Sequence, residues 1–316
     1  MGLGAYRGGD QVGTVAVIGA GLIGAGWIAH FLAKGLVVRV HDPAPDVEAR
    51  VRTHVDACWP QLCSLNVVLT EGEAHALTFH SRAEEAASGA DFIQENAAEQ
   101  ESVKADLYRQ LDAVAPPDVL IASSTSSFPV SAMQAFCGHP SRCVLGHPFN
   151  PVHLLPLVEV GGGQQTDIAA VDAAMTFYRA VGKRPIRLRG EMFGHVANRL
   201  ASAMLREAVH LVDKGVATVE DIDDALRFGP ALKWAIQGQF MTYYTSGGAG
   251  GMARFLDAFG PGHERRWRDL GDPALTPDLK AKIVAQTEEV VDGRAPGQIA
   301  AEQDEKLLRL LHVLGC

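Results

Sequence analysis

Residues 15–24 read Val-Ala-Val-Ile-Gly-Ala-Gly-Leu-Ile-Gly, a β-branched run that leads into the spacing Gly-x-Gly-x-x-Gly. The apolar run is typical of a buried strand, and the residues after it, to about Lys34, have a helical pattern. In such a unit Gly19 permits the tight turn, Gly21 lets a pyrophosphate approach the backbone, and Gly24 allows close packing of helix on strand. The stretch predicts a dinucleotide-binding unit, and the alternative is glycine-rich packing without a ligand.

A second apolar strand, residues 36–40, ends in His41-Asp42. Asp42 lies at the distance expected for a carboxylate that accepts from the two hydroxyls of an adenine ribose. A carboxylate there would repel a 2′-phosphate, and Pro43-Ala44-Pro45 carries no arginine to accommodate one, so NAD is favoured over NADP. The predicted set of cofactor-binding residues is Gly19, Gly21, Leu22, Ile23, Gly24, Asp42, Glu99 and Lys104.

Strand and helix signals alternate through the first 190 residues. After a helix at 46–62, strand candidates lie at 90–94, 119–122, 142–146, 155–160 and 185–188, with mostly helical spacers. This order predicts an α/β fold, a parallel, doubly wound Rossmann-type sheet with its ligand crevice at the carboxyl ends of the strands. From about residue 191 helices alone are indicated, at 194–214, 218–227, 231–245, 250–258, 276–292 and 297–313. We therefore predict an NAD-binding domain over 1–190 and an all-α domain over 191–316.

Composition excludes several classes of protein. With 316 residues, 47% of them hydrophobic, the chain can bury two cores, and no apolar run is long enough to span a bilayer. The glycine-rich first dozen residues lack the hydrophobic core of a signal peptide, which predicts an unstructured lead-in and a cytoplasmic protein. The formal charge of −9 argues against a nucleic-acid partner. Five cysteines without CxxC spacing predict reduced thiols and no metal site.

A histidine between polar and proline residues is the clearest chemical signal. Residues 146–151 read Gly-His-Pro-Phe-Asn-Pro, and Glu159 follows His147 by twelve residues within the apolar run 154–160. Imidazole can take up a proton near neutral pH, and a carboxylate on its second nitrogen would orient the ring and raise its basicity. We expect His147 just past a strand end, facing the same crevice as residues 123–127. The alternative is a structural histidine with satisfied hydrogen bonds.

These motifs together resemble the 3-hydroxyacyl-CoA dehydrogenase superfamily over nearly the whole chain. The matching segments are residues 19–24, 90–95, 124–127, 147–151, 157–160 and 197–200. The resemblance implies that His147 is the acid/base in reversible oxidation of a secondary alcohol, that Glu159 is its partner, and that Ser126 and Asn198 contact the reacting centre. It also implies a helical dimerisation domain and hence a homodimer. Ser126 as a turn residue and Asn198 as a polar bridge between domains are the alternatives.

The substrate is predicted from what the chain lacks. Members of the superfamily that use CoA are lysine-rich in the helical pair after the second strand, whereas residues 53–81 contain no lysine or arginine. Three phosphates would lack counter-charges, which favours a small hydroxy acid over a short-chain L-3-hydroxyacyl-CoA. Two branches take such substrates, the L-gulonate 3-dehydrogenases, which are similar to lambda-crystallin, and the L-carnitine dehydrogenases. The resemblance is closer to the second, above all at residues 227–234 and 259–261.

Carnitine carries a trimethylammonium group, which aromatic faces hold best. Trp234, Phe240, Tyr243 and Tyr244 are the predicted cage, and packing in a core or dimer interface is the alternative. Ser127, Arg199 and Lys233 are candidates for the substrate carboxylate, and Ser127 is included in the predicted site. A crystallin-like structural protein or an NAD sensor is the non-enzymatic alternative. The presence of both His147 and Glu159 favours an enzyme, because a pure binder has no need of the pair.

Overall fold

The structure is a computed structural model in which residues 6–68 and 76–315 are described. Contacts divide the chain into two compact units, Met1–Asn198 together with Asp304–Cys316, and Arg199–Gln303. This division differs from the predicted boundary near residue 190, because residues 191–198 hydrogen-bond to the first unit, for example Ser131 to Glu191 and His195 to Thr125. The predictions for residues 1–5, 69–75 and Cys316 concern positions outside the described ranges.

Within the described residues, the first unit is built on one sheet of eight strands in the order β3-β2-β1-β4-β5-β6-β7-β8. The strands are β1 Thr14–Ile18, β2 Val37–His41, β3 Leu77–Phe79, β4 Phe92–Glu95, β5 Leu120–Ser123, β6 Cys143–Pro148, β7 Leu157–Gly162 and β8 Arg184–Arg187. The reversal of strand order beside β1 confirms the predicted doubly wound α/β fold. Strand β3 was not predicted, because three residues are too few to show a period.

One strand pair runs against the predicted parallel direction. Strands β6 and β7 are antiparallel, whereas every other neighbouring pair of the sheet is parallel. Only residues 149–156 connect them, and a parallel return needs a crossover of about a dozen residues or more. The prediction of a wholly parallel sheet was therefore wrong here, and the short gap between the two strand signals was the overlooked indication.

Helices cover both faces of this sheet. In the first unit they are α1 Leu22–Ala33, α2 Val47–Ser64, α3 Ala83–Ala87, α4 Glu101–Val114, α5 Val130–Gln134 and α6 Ile168–Ala180. One face is packed by the buried rings of Trp27, Phe31, Phe92 and Phe177, and the other by Ile93, Tyr108 and Leu111. The predicted unstructured lead-in was wrong for residues 6–12, since Arg7 forms ion pairs with Asp91 and Asp118.

The second unit is helical, as predicted. Helix α7 Ala197–Asp213 begins in the first unit and continues into the second, which contains α8 Val219–Arg227, α9 Pro230–Ser246, α10 Gly251–Asp269 and α11 Pro277–Val291; α12 Pro296–Leu314 returns to the first. Helix α10 extends beyond the predicted end at 258, through Pro261, because the rings of Phe255, Phe259 and His263 pack along it. No described helix has both the length and the apolar character that a membrane span requires.

Candidate active site

The glycine turn after β1 has the geometry that its sequence requires. Gly19 has φ 89°, and a Cβ there would lie 2.5 Å from the carbonyl oxygen of Asn96. A Cβ on Gly24 would lie 2.0 Å from the carbonyl oxygen of Gly19, so this glycine brings α1 against the turn itself. At Gly21 a Cβ would meet nothing within 4 Å. The backbone is therefore tightly packed on one side of the turn and open at Gly21, where a ligand can approach.

The first turn of α1 presents unbonded backbone groups. Among the described side chains none caps this helix start, where Leu22 is exposed and Ile23 half-buried. Such a terminus attracts phosphate through its N–H groups and dipole. At the end of β2 the Asp42 carboxylate accepts from the N–H groups of Ala20 at 2.7 Å and Ala44 at 2.9 Å. These residues fit an adenine dinucleotide, and Asp42 has the further role of fixing the turn.

Arg50 is a cation near this carboxylate that sequence reasoning missed. Its guanidinium lies 3.9 Å from Asp42 and 3.1 Å from Asp46, the residue directly before α2. The prediction considered only residues 43–45 as sources of an arginine. A helical residue eight positions after Asp42 returns to it because α2 starts beside the end of β2.

The histidine and carboxylate are brought together by the antiparallel strands. His147 on β6 stands directly opposite Glu159 on β7, and its Nδ1 lies 2.8 Å from Oε2 of Glu159. His147 lies within β6, where we expected it just past the strand end. The other carboxylate oxygen accepts from the backbone N–H groups of Val196 and Ala197, both at 3.0 Å. Both side chains are buried, and that of Glu159 is fully enclosed.

This arrangement determines the protonation of the pair. Burial opposes the charge on Glu159, but hydrogen bonds from His147 and from the backbone N–H groups of Ala197 and Val196 outweigh it and lower the pKa of the carboxyl. An ionised carboxylate accepts from Nδ1–H and so places the imidazole proton on Nδ1. Nε2 is then the nitrogen that can accept a proton from a ligand. The geometry is that of an oriented general base.

A second histidine, which sequence reasoning missed, supports this pair. His195 is buried, its Nε2 lies 2.9 Å from the carbonyl oxygen of Thr125, and its ring centroid lies 5.1 Å from that of His147. Burial lowers the pKa of His195, so its ring is neutral near pH 7. Its φ is 51°, and Gly194 before it has φ 75°. A histidine seldom adopts this backbone conformation, which is common at functional sites, and here it turns the chain into α7.

Glu99 organises the turn that carries Ser126 and Ser127. One of its oxygens accepts from the Thr125 hydroxyl at 2.6 Å and from the N–H groups of Ser126 at 3.0 Å and Ser127 at 3.2 Å. Burial opposes its charge, but these bonds and the nearby Lys104 lower the pKa of Glu99. The hydroxyl oxygens of the two serines lie 3.4 Å apart. The turn is thus fixed by its backbone, with the serine hydroxyls beside one another.

Lys104 lies beneath this turn. It is buried, and its ammonium lies 2.8 Å from Glu95 and 3.4 Å from Glu99. Its third contact is the carbonyl oxygen of Ala97 at 3.2 Å. In the described structure Lys104 forms an ion pair with Glu99. Its predicted contact with the cofactor stays a prediction. Asn198 lies in the first turn of α7, directly after Ala197, whose N–H bonds to Glu159.

A buried polar network joins the strands next to His147. The Gln94 amide donates to Ser124 at 2.9 Å and to the carbonyl oxygen of Gly146 at 3.2 Å, and it accepts from the Tyr178 hydroxyl at 2.6 Å. The Trp27 indole also donates to Ser124, at 3.2 Å. A satisfied network of this kind rigidifies its surroundings. It fixes Gly146, the residue before His147, and joins it to Gln94 and Ser124, which all lie in segments singled out from the sequence.

The four aromatic residues of the predicted cage all lie on α9 in the second unit. The helix is kinked at Gly238, φ 74°, which separates Trp234 from the other three. Tyr243 stacks on Phe255 with ring centroids 4.6 Å apart, whereas Phe240 is 80% exposed. Among the described rings, none of the four stacks on another. Tyr243 thus has a packing role within its unit, and the cage stays a prediction.

Comparison with known proteins gives the family. Residues 14–192 match the NAD binding domain of 3-hydroxyacyl-CoA dehydrogenase, and residues 194–271 match the C-terminal domain of the same family. The chain is 47% identical over 307 residues to an L-carnitine dehydrogenase of Streptomyces coelicolor, with 97% of this chain and 96% of the relative covered. It is 46% identical over 302 residues to one of Pseudomonas aeruginosa, with 95% and 94% covered.

Solved structures agree with these matches. A crystal structure of 5-formyl-3-hydroxy-2-methylpyridine 4-carboxylic acid 5-dehydrogenase, described as an NAD⁺-dependent dismutase, aligns with a TM-score of 0.83 at 30% identity. The alignment covers 96% of this chain and 99% of that one. The similarity therefore extends over both units of the chain.

Proposed function

The chain belongs to the 3-hydroxyacyl-CoA dehydrogenase family, and within it we propose that the protein oxidises the 3-hydroxyl of L-carnitine to the ketone with NAD. Membership confirms the predicted class, an NAD-dependent oxidoreductase that acts on a secondary alcohol. The observation that carries the proposal is the buried pair of His147 and Glu159, in a unit that also has a glycine turn open at Gly21.

His147 acts as the proton acceptor. Its Nδ1–H is held by Glu159, so Nε2 takes the hydroxyl proton and forms an imidazolium that the buried carboxylate stabilises. Glu159 is a positioning residue, because both of its oxygens are occupied by protein donors. Bound NAD supplies the acceptor for the hydride that leaves the same carbon. In the reverse direction His147 returns the proton to the oxygen.

Ser126 and Asn198 hold the reacting oxygen in this proposal. Ser126 is supported by the turn that Glu99 fixes, and Asn198 by the start of α7 that Glu159 fixes. Hydroxyl and amide donors strengthen their bonds as negative charge develops on an oxygen, which lowers the barrier. In the same proposal the dinucleotide is held by Gly19, Gly21, Leu22, Ile23, Gly24 and Asp42. Glu99 and Lys104 complete the set of cofactor-binding residues.

The choice of L-carnitine rests on two arguments. Relatives that are 43–47% identical and matched over most of their length are named L-carnitine dehydrogenases. Residues 53–81 offer no lysine or arginine for the phosphates of a CoA ester. In the proposal Trp234, Phe240, Tyr243 and Tyr244 contribute aromatic surface to the trimethylammonium group, and Ser127 binds the carboxylate. A homodimer in the cytoplasm is part of the same proposal, and the exposed apolar side chains of the second unit, such as Leu205 and Ile236, suit subunit contact.

A substrate panel tests the proposal directly. We expect the purified protein to form NADH with L-carnitine, and not with D-carnitine, L-gulonate or a short-chain L-3-hydroxyacyl-CoA, at mildly alkaline pH. Turnover of gulonate or of the CoA ester in place of L-carnitine would refute the substrate assignment and leave the dehydrogenase class intact. Inactivity on all four compounds would favour a non-catalytic NAD-binding protein.

A variant tests the role of the histidine. We expect His147→Ala to lose turnover by a factor of roughly 100 to 10,000, the usual contribution of a general base, and to keep NAD binding. His139→Ala is the matched control, because that histidine has a side chain exposed by 56%. Turnover is measured by NADH absorbance and cofactor binding by fluorescence titration. Normal turnover of His147→Ala would remove this residue from the mechanism.

A further inference from the structure

Three potential metal ligands that are far apart in sequence meet in the first unit. His54 and Cys58 lie four residues apart on α2 and so share one helix face, and His153 lies in the connection between β6 and β7. Each offers one donor atom, and the three atoms all lie within 4.8 Å of one another. The Cys58 sulfur lies 3.4 Å from Nε2 of His54. None of these residues has a part in the proposed oxidation.

The cluster lies at the edge of an apolar core. Cys58 packs with Ala29, Ala33 and Leu62 between α1 and α2, and His153 is buried as well, whereas His54 is half-buried. Two of the three donors are thus shielded from solvent, and the half-buried His54 is the one that solvent reaches. Such surroundings strengthen the binding of a cation by polarisable donors.

Two of the three groups are in the protonation state that suits a cation, and the third has to lose a proton. Burial lowers the pKa of His153 to about 4 and lowers that of His54, so both imidazoles are neutral at pH 7 and have a free lone pair. Burial, with a smaller contribution from the charge of Asp304, raises the pKa of Cys58 to about 11. The thiol is therefore protonated in the metal-free protein, and binding of a cation would release that proton to solvent.

We propose that His54, Cys58 and His153 form a binding site for a divalent cation of the zinc class. Two nitrogens and one sulfur are the donors that Zn²⁺ prefers, with bonds of about 2.0–2.3 Å and hence ligand-to-ligand spacings of roughly 3.3–3.8 Å in a tetrahedron. The spacing of 3.4 Å between Cys58 and His54 is already in this range. The fourth position falls to water, and Gln61, whose side-chain oxygen lies 2.5 Å from Nε2 of His153, is a hydrogen-bond partner that orients this ring.

The proposed site departs from the prediction of no metal that was based on cysteine spacing, and that prediction is untested. That prediction considered only pairs of cysteines close in sequence, whereas here one cysteine is joined by two histidines. The third ligand comes from the connection that follows His147 on β6, so the ion would link α2 to the segment that carries the general base. An ion that binds the folded protein and not the unfolded chain would stabilise the folded protein.

Cobalt(II) is the probe that tests the site, because a thiolate ligand gives a near-ultraviolet charge-transfer band and tetrahedral geometry gives intense visible bands. The full-length protein is freed of metal with a chelator and titrated with CoCl₂, then with ZnCl₂. We expect both sets of bands at one equivalent and their loss on displacement by zinc. The same zinc addition should raise the melting temperature. A wild-type titration without a charge-transfer band overturns the proposal, whatever the variants do.

Variants then assign the ligands. Cys58→Ser should lose the charge-transfer band, and His153→Gln should lower the affinity for zinc by about tenfold or more. Cys63→Ser is the matched control, since Cys63 is an exposed cysteine on the same helix, and it should bind as the wild type does. Far-ultraviolet circular dichroism verifies that each variant is folded. A charge-transfer band that persists in Cys58→Ser and disappears in Cys63→Ser would refute the assignment of Cys58 as the ligand. NADH formation is measured separately on the metal-free protein, so that the outcome for the metal site and the outcome for the dehydrogenase can be distinguished.

Discussion

Replacing Glu159 by glutamine tests the proposed mechanism most sharply. The side chain is fully buried and accepts three hydrogen bonds, one from His147 at 2.8 Å and two from the backbone at the start of α7 at 3.0 Å. A carboxamide has the same shape but only one oxygen. Because the two N–H groups of Val196 and Ala197 cannot turn away, the amide oxygen has to face them, and the NH₂ group has to face His147.

The consequence is a reversed tautomer. An NH₂ group donates to Nδ1, which moves the imidazole proton to Nε2, the atom that has to accept the substrate proton. We expect kcat to fall by roughly 1,000- to 10,000-fold, the size of the loss when the carboxylate of a serine-protease triad becomes an amide. This corresponds to about 4 to 5.5 kcal/mol of barrier. The free energy of unfolding should fall by only about 1–3 kcal/mol, so the variant stays folded.

The assay is steady-state NADH formation with L-carnitine, combined with urea denaturation and NADH titration. Glu48→Gln is the matched control, because in the described part of the chain this exposed glutamate pairs with Arg52 on the same helix, and its loss should leave kcat unchanged. A kcat of Glu159→Gln within about tenfold of the wild type would refute the argument that the carboxylate sets the tautomer. A loss that appears in KM for NAD alone would do so too, since a positioning residue acts on the chemical step.

Two further predictions concern the cofactor and the buried charge. Asp42→Ala should weaken NADH binding by roughly 10- to 100-fold, whereas NADPH binding should change less. The reason is that a carboxylate that accepts from ribose also repels a 2′-phosphate. Equal losses of NADH and NADPH affinity in fluorescence titrations would contradict this role. Burial, with a smaller effect of Lys34, lowers the pKa of Lys183 to about 7. Between about pH 7 and 10.5 this lysine is therefore protonated in the unfolded chain and neutral in the folded one. The free energy of unfolding should consequently rise with pH over that range. Urea denaturation at several pH values should show this rise in the wild type, at most about 1.4 kcal/mol per pH unit, and should not show it in Lys183→Met. The same slope in both proteins would exclude Lys183 as the source of the rise.

The parts of the fold that sequence could predict have strong local causes. The strand, glycine turn and helix at 14–33 follow from residues adjacent in the chain, and so do the amphipathic helices after residue 197. The direction of β7 was predicted wrongly because the strand signal alone has no direction. Only the length of the connection decides it, and that length also places Glu159 opposite His147.

The parts of the site that the sequence could not predict depend on contacts between residues that are far apart in the sequence. His195 was missed because its ring is linked to the site through the carbonyl oxygen of Thr125, seventy residues earlier. Its signal in the sequence is a glycine followed by a histidine just before a helix, which is weak on its own. The cluster of His54, Cys58 and His153 is of the same kind, since ninety-nine residues separate its first and last members.

The two oxygens of Glu159 connect the predicted catalytic groups to one another. One oxygen orients His147, and the other accepts from the N-terminus of α7, where the positive end of the helix dipole favours a carboxylate. Asn198 follows Ala197 in that first turn, so its position depends on the same side chain that sets the tautomer of the base. A protonated Glu159 would weaken both arrangements together, and the lowered pKa of this carboxyl keeps it ionised at the pH where the imidazole has to be basic. The buried carboxylate therefore holds the proton acceptor and the helix that carries Asn198 in one fixed relation.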